Sequence, residues 1–61
     1  MKIEYWKSPK NGQWYFAIIA RNGKTIAQSE GYKRERNCIK TANRIADESL
    51  LNRMLVAPRT I

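Results

Sequence analysis

The stretch WYFAIIA, residues 14–20, is apolar on both of its alternating rows, and this constrains the fold more than any other feature. Successive side chains of a strand point to opposite faces of a sheet. Trp14, Phe16, Ile18 and Ala20 therefore share one face, and Tyr15, Ala17 and Ile19 share the other. The run ends at Arg21-Asn22-Gly23-Lys24. Asn-Gly at that point predicts a two-residue type I′ hairpin turn, which needs positive φ at both positions.

Three segments rich in aromatic and β-branched residues read as strands, at about 2–7, 13–21 and 24–29. Ser8-Pro9-Lys10-Asn11-Gly12 reads as the first turn, because Pro9 cannot donate a ladder bond and Gly12 follows Asn11. With two-residue loops, Ala20 faces Thr25, Ile18 faces Ala27 and Phe16 faces Ser29. The same count sets Tyr5 opposite Ile18 and Ile3 opposite Ala20.

After Gly31-Tyr32 the period changes. Cys38, Ile39, Ala42, Ile45, Ala46 and Ser49 fall on one side of a helix over about 34–50. Lys33 to Glu35 is its expected start, with no Ser, Thr, Asp or Asn at the cap position. Small Ala42 and Ala46 suit close approach to the sheet face that carries small Ala27 and Ser29. The expected fold is α+β in one domain: a three-stranded antiparallel meander with one helix packed on one face. Residues 51–61 form a short C-terminal extension, where Leu51 and Leu55 leave the stripe and Pro58 stops any helix.

One helix covers one face. The other would carry Trp6, Tyr15, Ala17, Ile19 and Ile26 as one contiguous apolar patch, and such patches mark interfaces. Leu51, Met54 and Leu55 are expected to complete it. A chain of 61 residues buries only about 60% of the surface of its unfolded form, so pairing as a homodimer is expected.

Chemistry has few groups to work with. Cys38 is the single cysteine and histidine is absent, so disulfides and the common metal frameworks are excluded. Cys38 lies on the buried stripe, where a thiol acts as a small hydrophobe. The acids are Glu4, Glu30, Glu35, Asp47 and Glu48. Asp47 and Glu48 sit on the polar arc of the helix, where Glu48 can pair weakly with Arg44. No enzyme activity, cofactor or metal is expected. No apolar run is long enough to span a membrane and no signal stretch opens the chain, so a cytoplasmic protein is expected.

Twelve Lys and Arg against five Asp and Glu give a net charge of +7, which draws anionic partners. Arg36, Lys40 and Arg44 recur every four residues and form a ridge on the exposed side of the helix, extended by Lys33 and Arg34. The helix dipole adds attraction for anions at that end.

Gly12 with the strand WYF, the turn RNGK, the run IAQSEGY, and a basic helix start with Cys38 after Lys33 carry a resemblance. From about Ile3 to Ala46 the chain resembles the YegP-like family of small bacterial proteins. The resemblance implies a three-stranded antiparallel sheet with one helix, found in single or tandem copies. Single copies resemble half of the tandem form, which implies pairing. No activity is implied. The chain departs from the family pattern at Ala17 and Ile19, where Arg or Lys is common. It departs again at Arg34, where Ser or Thr is common, and in its extended tail.

The functional expectation is a non-enzymatic interaction module. It self-associates through apolar sheet surface and offers a basic face to an acidic partner, as a small regulator or inhibitor of a larger protein machine would. The alternative is a DNA- or RNA-binding module that uses the helix ridge. The element order also looks like the arm-type DNA-binding domain of tyrosine recombinases, whose sheet enters the major groove. Ala17, Ile19 and Ile26 cannot bond to base edges, so the ridge would contact phosphates instead.

Overall fold

The computed structural model describes residues 1–48 and 55–59. Its elements are β1 (Lys2–Lys7), β2 (Trp14–Ile19), β3 (Thr25–Gln28), α1 (Glu35–Glu48) and β4 (Leu55–Pro58). The sheet has four strands in the order β3-β2-β1-β4. β1 pairs antiparallel with β2, and β2 with β3, whereas β4 runs parallel to β1. The expected three-stranded antiparallel sheet is thus corrected to a mixed four-stranded one. The C-terminal extension supplies the fourth strand. Pro58 ends β4 on the outside of the sheet, where a missing N–H leaves no partner unsatisfied.

Both turns differ from their two-residue forms. The first is closed by the Ser8 amide donating to the Gln13 carbonyl at 2.8 Å and the Gly12 amide donating to the Ser8 carbonyl at 2.9 Å. The Asn11 side-chain oxygen accepts from the Gln13 amide at 2.9 Å, and Gly12 takes φ 71°. This wider loop places Tyr5 opposite Phe16 and Ile3 opposite Ile18, two residues from the expected partners. Because the shift is even, every side chain keeps its face.

In the second turn the Ala20 amide donates to the Lys24 carbonyl at 2.8 Å. Gly23 alone takes positive φ, at 87°. The loop is therefore Arg21-Asn22-Gly23, a turn followed by one left-handed glycine, in place of type I′. A bulge at Ile26 then restores the expected pairing of Ile18 with Ala27.

The core lies between α1 and the face expected for it, but the helix covers β1, β2 and β4 and not β3, whose Ala27 is exposed, which corrects the expected docking against Ala27. Ile3, Phe16, Cys38, Ala42 and Ala46 are buried there, with Tyr5, Trp14, Ile18, Tyr32, Ile45 and Val56 packed around them. Phe16 and Tyr32 stack at 6.2 Å between ring centroids. Small Ala42 and Ala46 let the helix lie close to the sheet. Arg34 stands at the cap position and its carbonyl accepts from the Cys38 amide at 3.3 Å.

The run IAQSEGY has a structural meaning. The Ser29 amide donates to the Phe16 carbonyl at 2.8 Å, and the Ser29 hydroxyl accepts from the Phe16 amide at 2.9 Å. One serine thus supplies both ladder partners of Phe16. The chain then bulges through Glu30-Gly31 and regains pairing at Tyr32 with Trp14. A Cβ on Gly31 would collide with the Gln13 side-chain oxygen and meet the Tyr15 hydroxyl.

Candidate functional site

The helix-free face carries Lys2, Glu4 and Trp6 of β1 beside Ile19, Ala17 and Tyr15 of β2. It is not a bare apolar patch. Ala17 is 0% exposed and Ile19 5% exposed within the single chain, which corrects the expectation that both wait for a partner. The register explains the burial. Ala17 stands between Glu4 and Gln28, and Ile19 between Lys2 and Thr25. The stems of Glu4 and Gln28 on either side of small Ala17, and of Lys2 beside Ile19, are long enough to cover apolar neighbours.

Above this layer runs a chain of charge and aromatic contacts. Glu4 holds Lys2 and Arg59, each at 3.3 Å. The Arg59 guanidinium carbon lies 3.8 Å from the Trp6 ring centroid. Trp6 in turn stacks with Tyr15 at 6.1 Å and 23°, and the Tyr15 hydroxyl accepts from the Asn11 side-chain amide at 2.9 Å. Burial alone would raise the Glu4 carboxyl, but its bonds to Lys2 and Arg59 outweigh that and hold it below the usual carboxylate value.

Of the other residues expected at an interface, Trp6 and Tyr15 are half-buried. Ile26 and Leu55 are exposed, as is Met1. Ile26 and Leu55 lie on opposite outer strands, so they flank the face rather than fill its centre. Leu51 and Met54 lie outside the described residues.

The basic residues fall where the periodicity placed them. Lys33, Arg34, Arg36, Lys40 and Arg44 are all exposed. Arg36, Lys40 and Arg44 project away from buried Cys38, Ala42 and Ala46. They share a shallow, open surface of α1 with Ile39, Asn43 and Asp47. Cys38 is fully buried. Burial, with a smaller contribution from the Glu35 charge, pushes its thiol above the usual value, which keeps the nucleophilic thiolate scarce.

A second recess, about 350 Å³, lies where β1 ends and α1 begins. Tyr5, Trp6 and Trp14 wall it, Pro9 and Pro58 form its rims, and Lys7, Glu35 and Arg59 add charge. The sequence reading missed this recess, because it joins three stretches distant along the chain: the first hairpin, Glu35 and Pro58-Arg59. The one local signal was the pairing of Trp14 with a turn that carries Pro9.

Residues 10–49 match the family described as Domain of unknown function (DUF1508). The chain belongs to the DUF1508 family. A UPF0339 protein of Methanosarcina acetivorans is similar, with 38% identity over 47 residues, covering 77% of this chain and 81% of the relative. No solved structure matches. The resemblance to an uncharacterised family of small proteins therefore holds. The DUF1508 match spans β2, β3 and α1, with the Ser29–Gly31 bulge and the basic ridge. It leaves β1 and β4 outside, so the Arg59–Trp6 contact lies beyond the matched segment. Among the described residues no helix is long and apolar enough to cross a membrane.

Proposed function

We propose that this DUF1508 protein is a non-enzymatic interaction module that presents the basic ridge of α1 to an acidic protein partner and works as a pair of identical chains. The observation that carries this reading is the placement of Arg36 and Lys40. Both are exposed on the side of α1 opposite its buried stripe. Arg36–Lys40 and Lys40–Arg44 are like-charged pairs four residues apart, each costing the helix about 0.2–0.5 kcal/mol. A ridge that opposes its own helix is explained by a partner of opposite charge. Half-buried Ile39 on the same helix surface gives such a partner an apolar contact beside the cations.

Pairing rests on the exposed rim. Met1, Ile26 and Leu55 are the large apolar side chains open to water among the described residues. They start or precede β1, β3 and β4, which run in the same direction, so they gather at one end of the sheet. The outer edge of β4 also offers unpaired backbone groups.

The test is binding to labelled polyglutamate, read by fluorescence anisotropy at low salt. Wild-type protein binds, and Arg36→Glu/Lys40→Glu/Arg44→Glu weakens binding at least about ten-fold. Absence of binding by the wild type, or equal binding by the variant, overturns the ridge reading. Preference for duplex DNA over polyglutamate, lost in the same variant, would favour nucleic acid on the ridge instead.

A further inference from the structure

The fold gathers cations at the end of the sheet opposite Met1 and Leu55, where Lys33 and Arg34 carry the ridge past the start of α1. Lys7 ends β1 and Lys10 lies in the first turn. Lys33 and Arg34 lie between Tyr32, which bridges to Trp14, and the start of α1. Arg59 arrives after β4, its amide donating to the Tyr5 carbonyl at 2.8 Å. Lys7, Lys10, Lys33 and Arg34 are all exposed. The recess of about 350 Å³ is lined by Lys7 and Arg59, and Pro9 and Glu35 of its lining are the chain neighbours of Lys10 and Arg34.

Its walls are aromatic. Tyr5 and Trp14 stand 6.4 Å apart at 42°, so they make an angled pair. Trp6 has one face covered by Arg59, whereas Tyr5 and Trp14 are half-buried against the core and turn only their remaining surface to the recess. Aromatic side chains set among cations are the combination that holds unpaired nucleotides, the bases by stacking and the backbone by charge.

We propose that this end of the sheet binds single-stranded nucleic acid, with one base in the recess against Trp14 and Tyr5 and the flanking phosphates on Lys7, Lys10, Lys33 and Arg34. A duplex keeps its bases stacked inside and cannot offer one to a recess this narrow. An acidic peptide satisfies the cations but brings no planar ring to the aromatic pair. Glu35, the one acid lining the recess, can accept a hydrogen bond from an exocyclic amino group of the base. This site shares Lys33 and Arg34 with the extended α1 ridge, but Lys7 and Lys10 are its own and test it separately.

Both tryptophans of the chain line the recess, so intrinsic fluorescence reports on it directly. The experiment titrates wild-type protein at low salt with oligodeoxycytidylate, oligocytidylate RNA of equal length, a duplex, and polyglutamate. The expected result is quenching by the single strands, with duplex binding at least about ten-fold weaker and no quenching by polyglutamate. The DNA and RNA arms separate the two sources of the strand. Lys7→Glu/Lys10→Glu raises Kd about ten-fold and lowers the salt slope by about 1.4, for two phosphates released. Trp14→Leu removes the stacking wall. Should it fail to fold, the exposed lysine variant still decides. The proposal is overturned by no quenching with single strands, by equal quenching with polyglutamate, or by unchanged affinity in Lys7→Glu/Lys10→Glu. Binding lost in Arg36→Glu/Lys40→Glu but kept in the Lys7/Lys10 variant also overturns it, and favours nucleic acid on the ridge.

Discussion

Arg59 lies against Trp6, its guanidinium carbon 3.8 Å from the ring centroid, and this contact ties β4 to the rest of the sheet. Its side chain also reaches Glu4 at 3.3 Å, and its backbone continues the β1–β4 ladder. Three kinds of attraction thus meet at one residue just past a four-residue strand. Arg59→Ala is expected to cost about 1–2 kcal/mol, combining a cation–π contact with a partly exposed ion pair. Urea denaturation measures this. Arg59→Lys is expected to recover only part of it, because an ammonium lacks the planar stacking surface.

Glu4 sets an acid limb to stability. Its folded-state pKa lies below the usual value because Lys2 and Arg59 outweigh its burial. The stabilisation is complete above the unfolded value, near ~4.3, and is lost as pH falls through the folded pKa. Glu4→Gln should flatten the fall in melting temperature over that acid range. An unchanged acid limb in Glu4→Gln would contradict the Lys2–Glu4–Arg59 arrangement.

Ile19 separates burial from interface. It is 5% exposed in one chain, so Ile19→Lys is expected to destabilise the fold by about 2 kcal/mol or more. Leu55→Glu changes an exposed residue (66%) and should leave the melting temperature nearly unchanged. Sedimentation equilibrium should then show wild-type dimers and Leu55→Glu monomers. A wild-type monomer throughout the micromolar range would remove the pairing claim.

Much of this was legible in the sequence, for identifiable reasons. The two faces of β2 were correct although the first turn was misread, because an even register error keeps each side chain on its face. The helix stripe was legible because Cys38, Ala42 and Ala46 carry the full 3.6-residue period. β4 was not. Leu55–Pro58 has too few residues to show a period and contains a proline, and it becomes a strand only because β1 offers it an edge. The shielding of Ala17 and Ile19 was hidden for a related reason. It depends on Lys2, Glu4, Thr25 and Gln28 as cross-strand neighbours, and on an Arg59–Trp6 contact between residues far apart in sequence.

Gly31 gives a local test of the bulge. Gly31→Ala places a methyl group against the Gln13 side-chain oxygen. Since that group is the end of a flexible side chain, the cost should be modest, about 1 kcal/mol. Gln13→Ala in the same chain should recover most of it, seen as coupling in a double-mutant cycle.

Lys40 probes the balance between helix stability and binding. It stands between Arg36 and Arg44 on the ridge, so Lys40→Ala should stabilise the fold by about 0.5 kcal/mol. The same change should weaken polyglutamate binding. Thermal unfolding and anisotropy on one sample report both effects.

The ridge claim is tested most directly by following backbone amide shifts in nuclear magnetic resonance spectra as polyglutamate is added. The largest shifts are predicted along one side of α1, at Arg36, Lys40 and Arg44 and the intervening Ile39. Shifts confined to the helix-free face of the sheet, with α1 unmoved, would contradict it.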